Sequence, residues 1–128
     1  MKATSQNKES RVSVLLVEDD PLIAMDLAMQ VEDLGYVVVG PFHTVNSALV
    51  QLDCALPDAA ILDFNLKHGE TSKPIAMQLI DAEVPLTFLT GYSSTNLLEQ
   101  EGVAGHRVLS KPVVSSQLKT MLSDMVQP

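Results

Sequence analysis

Short, nearly continuous apolar runs alternate along the chain with longer stretches whose apolar residues recur every three or four positions. The runs are residues 11–17 (RVSVLLV), 36–39 (YVVV), 59–62 (AAIL), 85–89 (PLTFL) and 106–109 (HRVL). Runs this short, rich in valine, isoleucine and leucine and bounded by polar or turn residues, predict strands; the first suits a strand buried on both faces. Between them lie helical patterns. Asp20 is an acidic N-cap and Pro21 a first-turn residue. Ile23, Leu27, Val31 and Leu34 then fall on one face with Ala24 and Ala28, and Gly35 ends the helix. After the second run, Gly40-Pro41 predicts a break. Thr44 is placed to cap a helix with Val45, Ala48, Leu49 and Leu52 inward, closed by Pro57. The third run leads into Asp63 and a loop at 67–70. Pro74 then opens a helix with Ile75, Ala76, Leu79 and Ile80 inward. The fourth run ends at Thr90-Gly91. Residues 93–96 read as loop, with room for one short helix around Leu97 and Leu98 before the fifth run. Ser110-Lys111-Pro112 turns into a last helix with Val114, Leu118, Met121, Leu122 and Met125 inward.

Strands separated by helices of this length predict βαβ units and an α/β, doubly wound parallel sheet, with right-handed crossovers placing helices on both faces. Ligands of such sheets sit beyond the carboxyl ends of the strands. That rule selects Glu18 and Asp19 after the first strand, Asp63 after the third, Thr90 at the end of the fourth and Lys111 after the fifth. Crowded carboxylates repel one another and favour a cation. An all-oxygen set suits a hard ion such as Mg2+, or Mn2+. A carboxylate can also accept a phosphoryl group. Such a transfer needs its phosphoryl oxygens neutralised, a task for Lys111 and the metal, with Thr90 as a hydrogen-bond donor.

Composition narrows the function classes. A chain of 128 residues that is 46% hydrophobic can build one ordinary domain, expected over residues 11–128 behind a flexible polar tail at 1–10. A formal net charge of −8 without a basic stripe argues against nucleic-acid binding. No apolar run approaches the ~20 residues of a membrane helix, and the N-terminus lacks a secretory pattern. The single cysteine, Cys54, has no disulfide partner, which points to the cytoplasm; it is expected as a small buried residue at a helix end. His43, His68 and His106 lack metal-ligand spacing and are expected on the surface.

In order along the chain, VLLVEDDP, ILDFNL, FLTGY and LSKP resemble the motifs of bacterial response-regulator receiver domains, over roughly 12–126, nearly the whole chain. The resemblance implies a flavodoxin-like (CheY-like) five-stranded sheet of order 2-1-3-4-5, a fold for which CheY is a standard example. It implies that Asp63 accepts the phosphoryl group. Glu18, Asp19, Asp63 and the backbone carbonyl of Asn65 would serve the metal, and Thr90 and Lys111 would bind the phosphoryl group, Thr90 as the switch hydroxyl. It also implies a cis Lys111-Pro112 bond. More narrowly, NLKHGETSKPIAMQL followed by PLTFLTGYSS resembles the alphaproteobacterial receivers named for a Phe-Ala-Thr-Gly-Tyr motif, matched here by Phe88, Thr90, Gly91 and Tyr92, with Leu89 in place of alanine. In that subgroup the fourth helix is often short or irregular, in keeping with the weak pattern at 93–105. The implied donors are histidine kinases, including the HWE type, or histidine phosphotransfer proteins, with an unidentified protein downstream.

One position departs from the general pattern. Many receivers carry Tyr or Phe three residues before the lysine, where this chain has Val108. Tyr92, beside Thr90, is the candidate to report phosphorylation instead. No output domain is legible after the last helix, so the expectation is a stand-alone, cytoplasmic signalling module. It would not be an enzyme but a phosphoryl acceptor that loses the group slowly to water, acting by partner binding or as a phosphate sink. A phosphatase would need a separate acid/base group, whereas Asn65 occupies the second position after Asp63. A flavin carrier would need something other than the acidic EDDP after the first strand. The remaining alternative is a receiver-like module that binds partners without phosphorylation.

Overall fold

The computed structural model describes residues 11–91 and 106–126; the expected tail at 1–10, Tyr92 and the segment 93–105 lie outside the described residues. The elements are β1 (Ser13–Val17), α1 (Pro21–Asp33), β2 (Val37–Phe42), α2 (Val45–Cys54) and β3 (Ala59–Asp63), followed by a short 3-10 turn (Lys67–Gly69). Then come α3 (Lys73–Asp81), β4 (Leu86–Thr90), β5 (Arg107–Ser110) and α4 (Ser115–Val126). The five strands form one sheet in the order β2-β1-β3-β4-β5 with every pairing parallel, as the resemblance implied.

The period of two along each strand divides the core into two layers. Leu15, Val17, Ala60, Leu62 and Phe88 face α2 and α3, meeting Ala48, Leu52, Ile75, Ala76 and Leu79. Val14, Leu16, Ala59, Ile61 and Leu89 face α1 and α4, meeting Leu27, Val31, Leu118, Met121, Leu122 and Met125. Both faces are thus covered, which is why the strands read as unbroken apolar runs. Local signals set the helix ends. Asp20 Oδ1 accepts hydrogen bonds from the N–H groups of Leu22 and Ile23 at the start of α1. At the other end the Gly35 N–H donates to Glu32 C=O and the Tyr36 N–H to Val31 C=O, with Gly35 at φ +99°. This is a Schellman closure, which needs a residue tolerant of left-handed backbone. Thr44 caps α2 as expected, its Oγ1 accepting from the Ser47 N–H at 3.1 Å.

Several expectations are corrected. Gly40-Pro41 does not end β2; the strand continues to Phe42, and Gly40-Pro41 is a cis bond within it. Leu15 pairs with Val39 and Val17 with Phe42, so β2 carries one extra residue opposite Leu16, a bulge. An edge strand accommodates this because its outer side has no ladder to interrupt. Ile23 faces outward on α1 at 37% exposure, and Val114, 53% exposed, is not on the inner face of the last helix because α4 begins only at Ser115. Cys54 is exposed rather than buried: it is the last residue of α2, whose buried residues are Ala48 and Leu52. His106 is half-buried against Phe88, ring centroids 6.3 Å apart, rather than on the open surface.

Among the described glycines, Gly40 alone has no room for a side chain. It sits at φ +108°, and a Cβ there would lie 2.8 Å from Phe42 N and 3.0 Å from Leu16 O. Backbone atoms cannot step aside as a flexible side-chain tip can. Gly40→Ala is therefore expected to cost roughly 2 kcal/mol or more. A lowered urea midpoint at unchanged slope checks this, and an unchanged midpoint would refute it.

Candidate functional site

The parallel sheet sends the carboxyl ends of its strands to one rim, and the crevice opens between β1 and β3, where successive crossovers pass to opposite faces. Asp63 is the last residue of β3 and Thr90 the last of β4, 4% and 3% exposed respectively. Glu18 and Asp19 follow β1 directly, and Lys111 follows β5. The structure brings these sequence-selected residues together.

Lys111 Nζ lies 2.9 Å from Glu18 Oε1 and 3.0 Å from Asp63 Oδ2. Its own backbone is held by the Lys111 N–H donating to Thr90 C=O at 2.9 Å, beside a cis Lys111-Pro112 bond as the resemblance implied. Glu18 is wholly buried, and its Oε2 accepts from the Asp20 N–H at 3.1 Å. Carboxylate oxygens of Glu18, Asp19 and Asp63 all lie within 4.8 Å of one another.

Asn65 follows two residues after Asp63 and forms an isolated bridge with Thr71. The bridge is made by the Ser72 N–H donating to Phe64 C=O and the Leu66 N–H donating to Glu70 C=O. The Asn65 carbonyl is not consumed by it. Tyr92 lies outside the described residues. Val108 is half-buried against the layer containing Phe88, with which it pairs across β4 and β5. Phe64, next to Asp63, packs edge-on against Phe88 with centroids 5.4 Å apart.

The electrostatics are those of an anion-rich site short of positive charge. Burial pushes Asp63 from 3.8 up to about 7; Lys111 opposes that rise, and the charge of Glu18 adds to it. Burial by itself would lower Lys111, but its hydrogen bonds to Glu18 and Asp63 outweigh that and raise it above its ordinary value. Three carboxylates facing one ammonium leave the cluster two charges negative if all ionise. A compact divalent ion with oxygen preference fits such a donor set. Glu18, Asp19, Asp63 and the Asn65 carbonyl are the groups that would hold it, and it would supply charge neutralisation.

The raised Asp63 value carries a signed consequence. In the metal-free fold Asp63 holds its proton up to about pH 7, whereas the unfolded chain releases it near 3.8. The native state then binds more protons between these limits, so stability falls as pH rises through that window and levels off above it. The fall is expected on the order of 3 kcal/mol, smaller with saturating Mg2+, which favours the ionised form. Urea unfolding of chelator-treated wild type and Asp63→Asn at pH 4.5 to 8 isolates the effect, because only wild type should show it; parallel profiles would contradict it.

Sequence reasoning missed one contact at this site. His43 Nδ1 lies 2.9 Å from Glu18 O, although 25 residues separate the two. Nothing in the spacing signals it; the β1–β2 pairing alone makes them neighbours.

Comparison with known proteins places this arrangement among relatives. The response regulator receiver domain family matches residues 14–123. The phyllosphere-induced regulator PhyR of Methylorubrum extorquens is 30% identical over 112 residues, covering 86% of this chain and 42% of the relative. The transcriptional regulatory protein PdtaR of Mycobacterium tuberculosis is 32% identical over 109 residues, covering 82% of this chain and 52% of the relative. The chain thus spans about half the length, or less, of these curated relatives. Among solved structures, SdrG from Sphingomonas melonis Fr1 superposes with a TM-score of 0.74 at 36% identity, covering 91% of this chain and 98% of that one.

Proposed function

The chain belongs to the response regulator receiver domain family, and from that premise we propose that it is a phosphorylation switch whose acceptor is Asp63. The observation that carries this reading is the Lys111 ammonium bridging buried Glu18 and Asp63 at 2.9 and 3.0 Å, with Asp19 in the same carboxylate cluster. Asp63 Oδ2 attacks the phosphorus of a phosphohistidine donor, and the imidazole leaves. Lys111 neutralises the incoming phosphoryl oxygens and Thr90, at the end of the next strand, donates to one of them. Mg2+, or Mn2+ in its place, supplies the remaining positive charge when bound.

The donor in this reading is a histidine kinase, including the HWE type, or a histidine phosphotransfer protein. The product is an acyl phosphate lost slowly to water, so the protein is a phosphoryl acceptor and not a turnover enzyme. Output is a population shift: charge added at Asp63 draws Thr90 inward and repacks the surface around β4 and β5, with Tyr92 as the reporter. An unidentified downstream protein reads that surface, or the domain serves as a phosphate sink. Leu22, Met25 and Met29 of α1 are 77%, 59% and 59% exposed. They give partners an apolar surface beside the site. Among the described residues no helix is long and apolar enough to cross a membrane. In this reading the protein acts in the cytoplasm without a membrane partner, and its formal net charge of −8 disfavours nucleic acid.

The test is intact mass after incubation with acetyl phosphate. A gain of one phosphoryl group that requires Mg2+ and disappears with a chelator supports the switch. No gain from acetyl phosphate or from a phosphorylated kinase would shift the reading to a receiver-like module that binds partners without phosphorylation.

A further inference from the structure

We infer that His43 is a positioning residue for the metal site, acting through the peptide unit that joins Glu18 to Asp19. The inference rests on the metal-site reading above and adds a residue to it. A carbonyl oxygen can only accept, so the 2.9 Å contact between His43 Nδ1 and Glu18 O requires the proton on Nδ1, with the ring donating. The same residue is held on its other side, where the Glu18 N–H donates to Phe42 C=O at 2.9 Å. Consecutive residues at the end of β2 thus grip both backbone polar groups of Glu18.

The consequence follows from peptide planarity. The atoms from Cα of Glu18 through its C=O and the next N–H to Cα of Asp19 lie in one plane. Anchoring the Glu18 oxygen fixes that plane, and with it the direction in which both acids leave the backbone. Past Val17, the last residue of β1, the described ladder bond to β2 uses the Glu18 N–H and leaves the Glu18 C=O to His43. The Glu18 side chain is pinned separately by the Asp20 N–H and Lys111. Asp19, only half-buried, owes its placement to its backbone. Outer groups that orient metal-binding residues typically change affinity ten- to a hundredfold when removed.

His43 is itself exposed, so replacing it leaves the core intact. The experiment is a Mg2+ titration of chelator-treated protein, followed by amide NMR shifts of residues 18–20, for wild type, His43→Asn, His43→Phe and Leu49→Ala. Asparagine places an N–H donor close to where Nδ1 stands; phenylalanine keeps the ring and loses the donor. Leu49 packs α2 against the sheet layer away from the acids and controls for general loosening. Wild type, His43→Asn and Leu49→Ala should bind within about threefold of one another, and His43→Phe about tenfold more weakly. Wild-type affinity in His43→Phe, equal weakening in His43→Asn, or equal weakening in Leu49→Ala would overturn the inference. A wild type that shows no saturable response would overturn the metal-site reading itself and the inference with it.

Discussion

Asp63→Asn takes up no phosphoryl group from acetyl phosphate under conditions in which the wild type does. The expected effect is all-or-none, since the amide oxygen is a far weaker nucleophile than a carboxylate and its acyl phosphate analogue does not form. The substitution nearly preserves volume and removes a carboxylate that burial makes costly to ionise above about pH 7. The variant should therefore fold, and at pH 8 without metal it should be at least as stable as wild type. Intact mass with and without Mg2+ reads the first point and urea unfolding the second. A full phosphoryl gain in Asp63→Asn would move the acceptor to another residue. A variant markedly less stable at pH 8 would mean that Asp63 is held ionised by more positive charge than Lys111 supplies.

Lys111→Met should be the most damaging single change to the site as a whole. Lys111 is the only described cation within ion-pair distance of Glu18 and Asp63, and those two carboxylates are 0% and 4% exposed. Removing one partner of a buried ion pair leaves the other charge uncompensated, a loss of roughly 3 kcal/mol at pH 8. The loss should shrink toward pH 5, where Asp63 is protonated in the fold, and shrink again with added Mg2+, which replaces the missing charge. Phosphoryl uptake at saturating Mg2+ should slow about a hundredfold, in the range for losing one charge-stabilising donor. Unfolding midpoints at two pH values, each with and without Mg2+, together with the rate of mass gain, check both parts. A pH-independent stability loss would mean that methionine disturbs packing rather than charge. An unchanged uptake rate would remove Lys111 from phosphoryl binding.

Much of the site was legible before any coordinates. Glu18, Asp19, Asp63, Thr90 and Lys111 stand at the ends of apolar runs, and a parallel sheet has a single rim for such ends. The pattern of runs and helical stretches therefore carried the parallel α/β sheet and the cluster, while the strand order 2-1-3-4-5 was what the family resemblance implied. Details that depend on what lies across a gap were not legible. β2 reads as broken at Gly40-Pro41, yet it continues as a bulged edge strand, because proline is disruptive only where a neighbour needs its N–H. Ile23 and Cys54 read as inward and are exposed. Periodicity gives a helix an apolar stripe, but the depth to which the helix sinks depends on its neighbours.

The sequence by itself determined which residues could do chemistry and on which strand ends they stand, because residue type and period are local properties. Only the tertiary structure decided their states. It put Glu18 entirely out of water, gave Asp63 a value near 7 and set Lys111 between the two. It also brought His43 onto the Glu18 carbonyl across 25 residues. Burial, charge pairing and hydrogen-bond partnership are properties of distance through space. They take their values only when β1, β2, β3 and β5 close side by side on one rim.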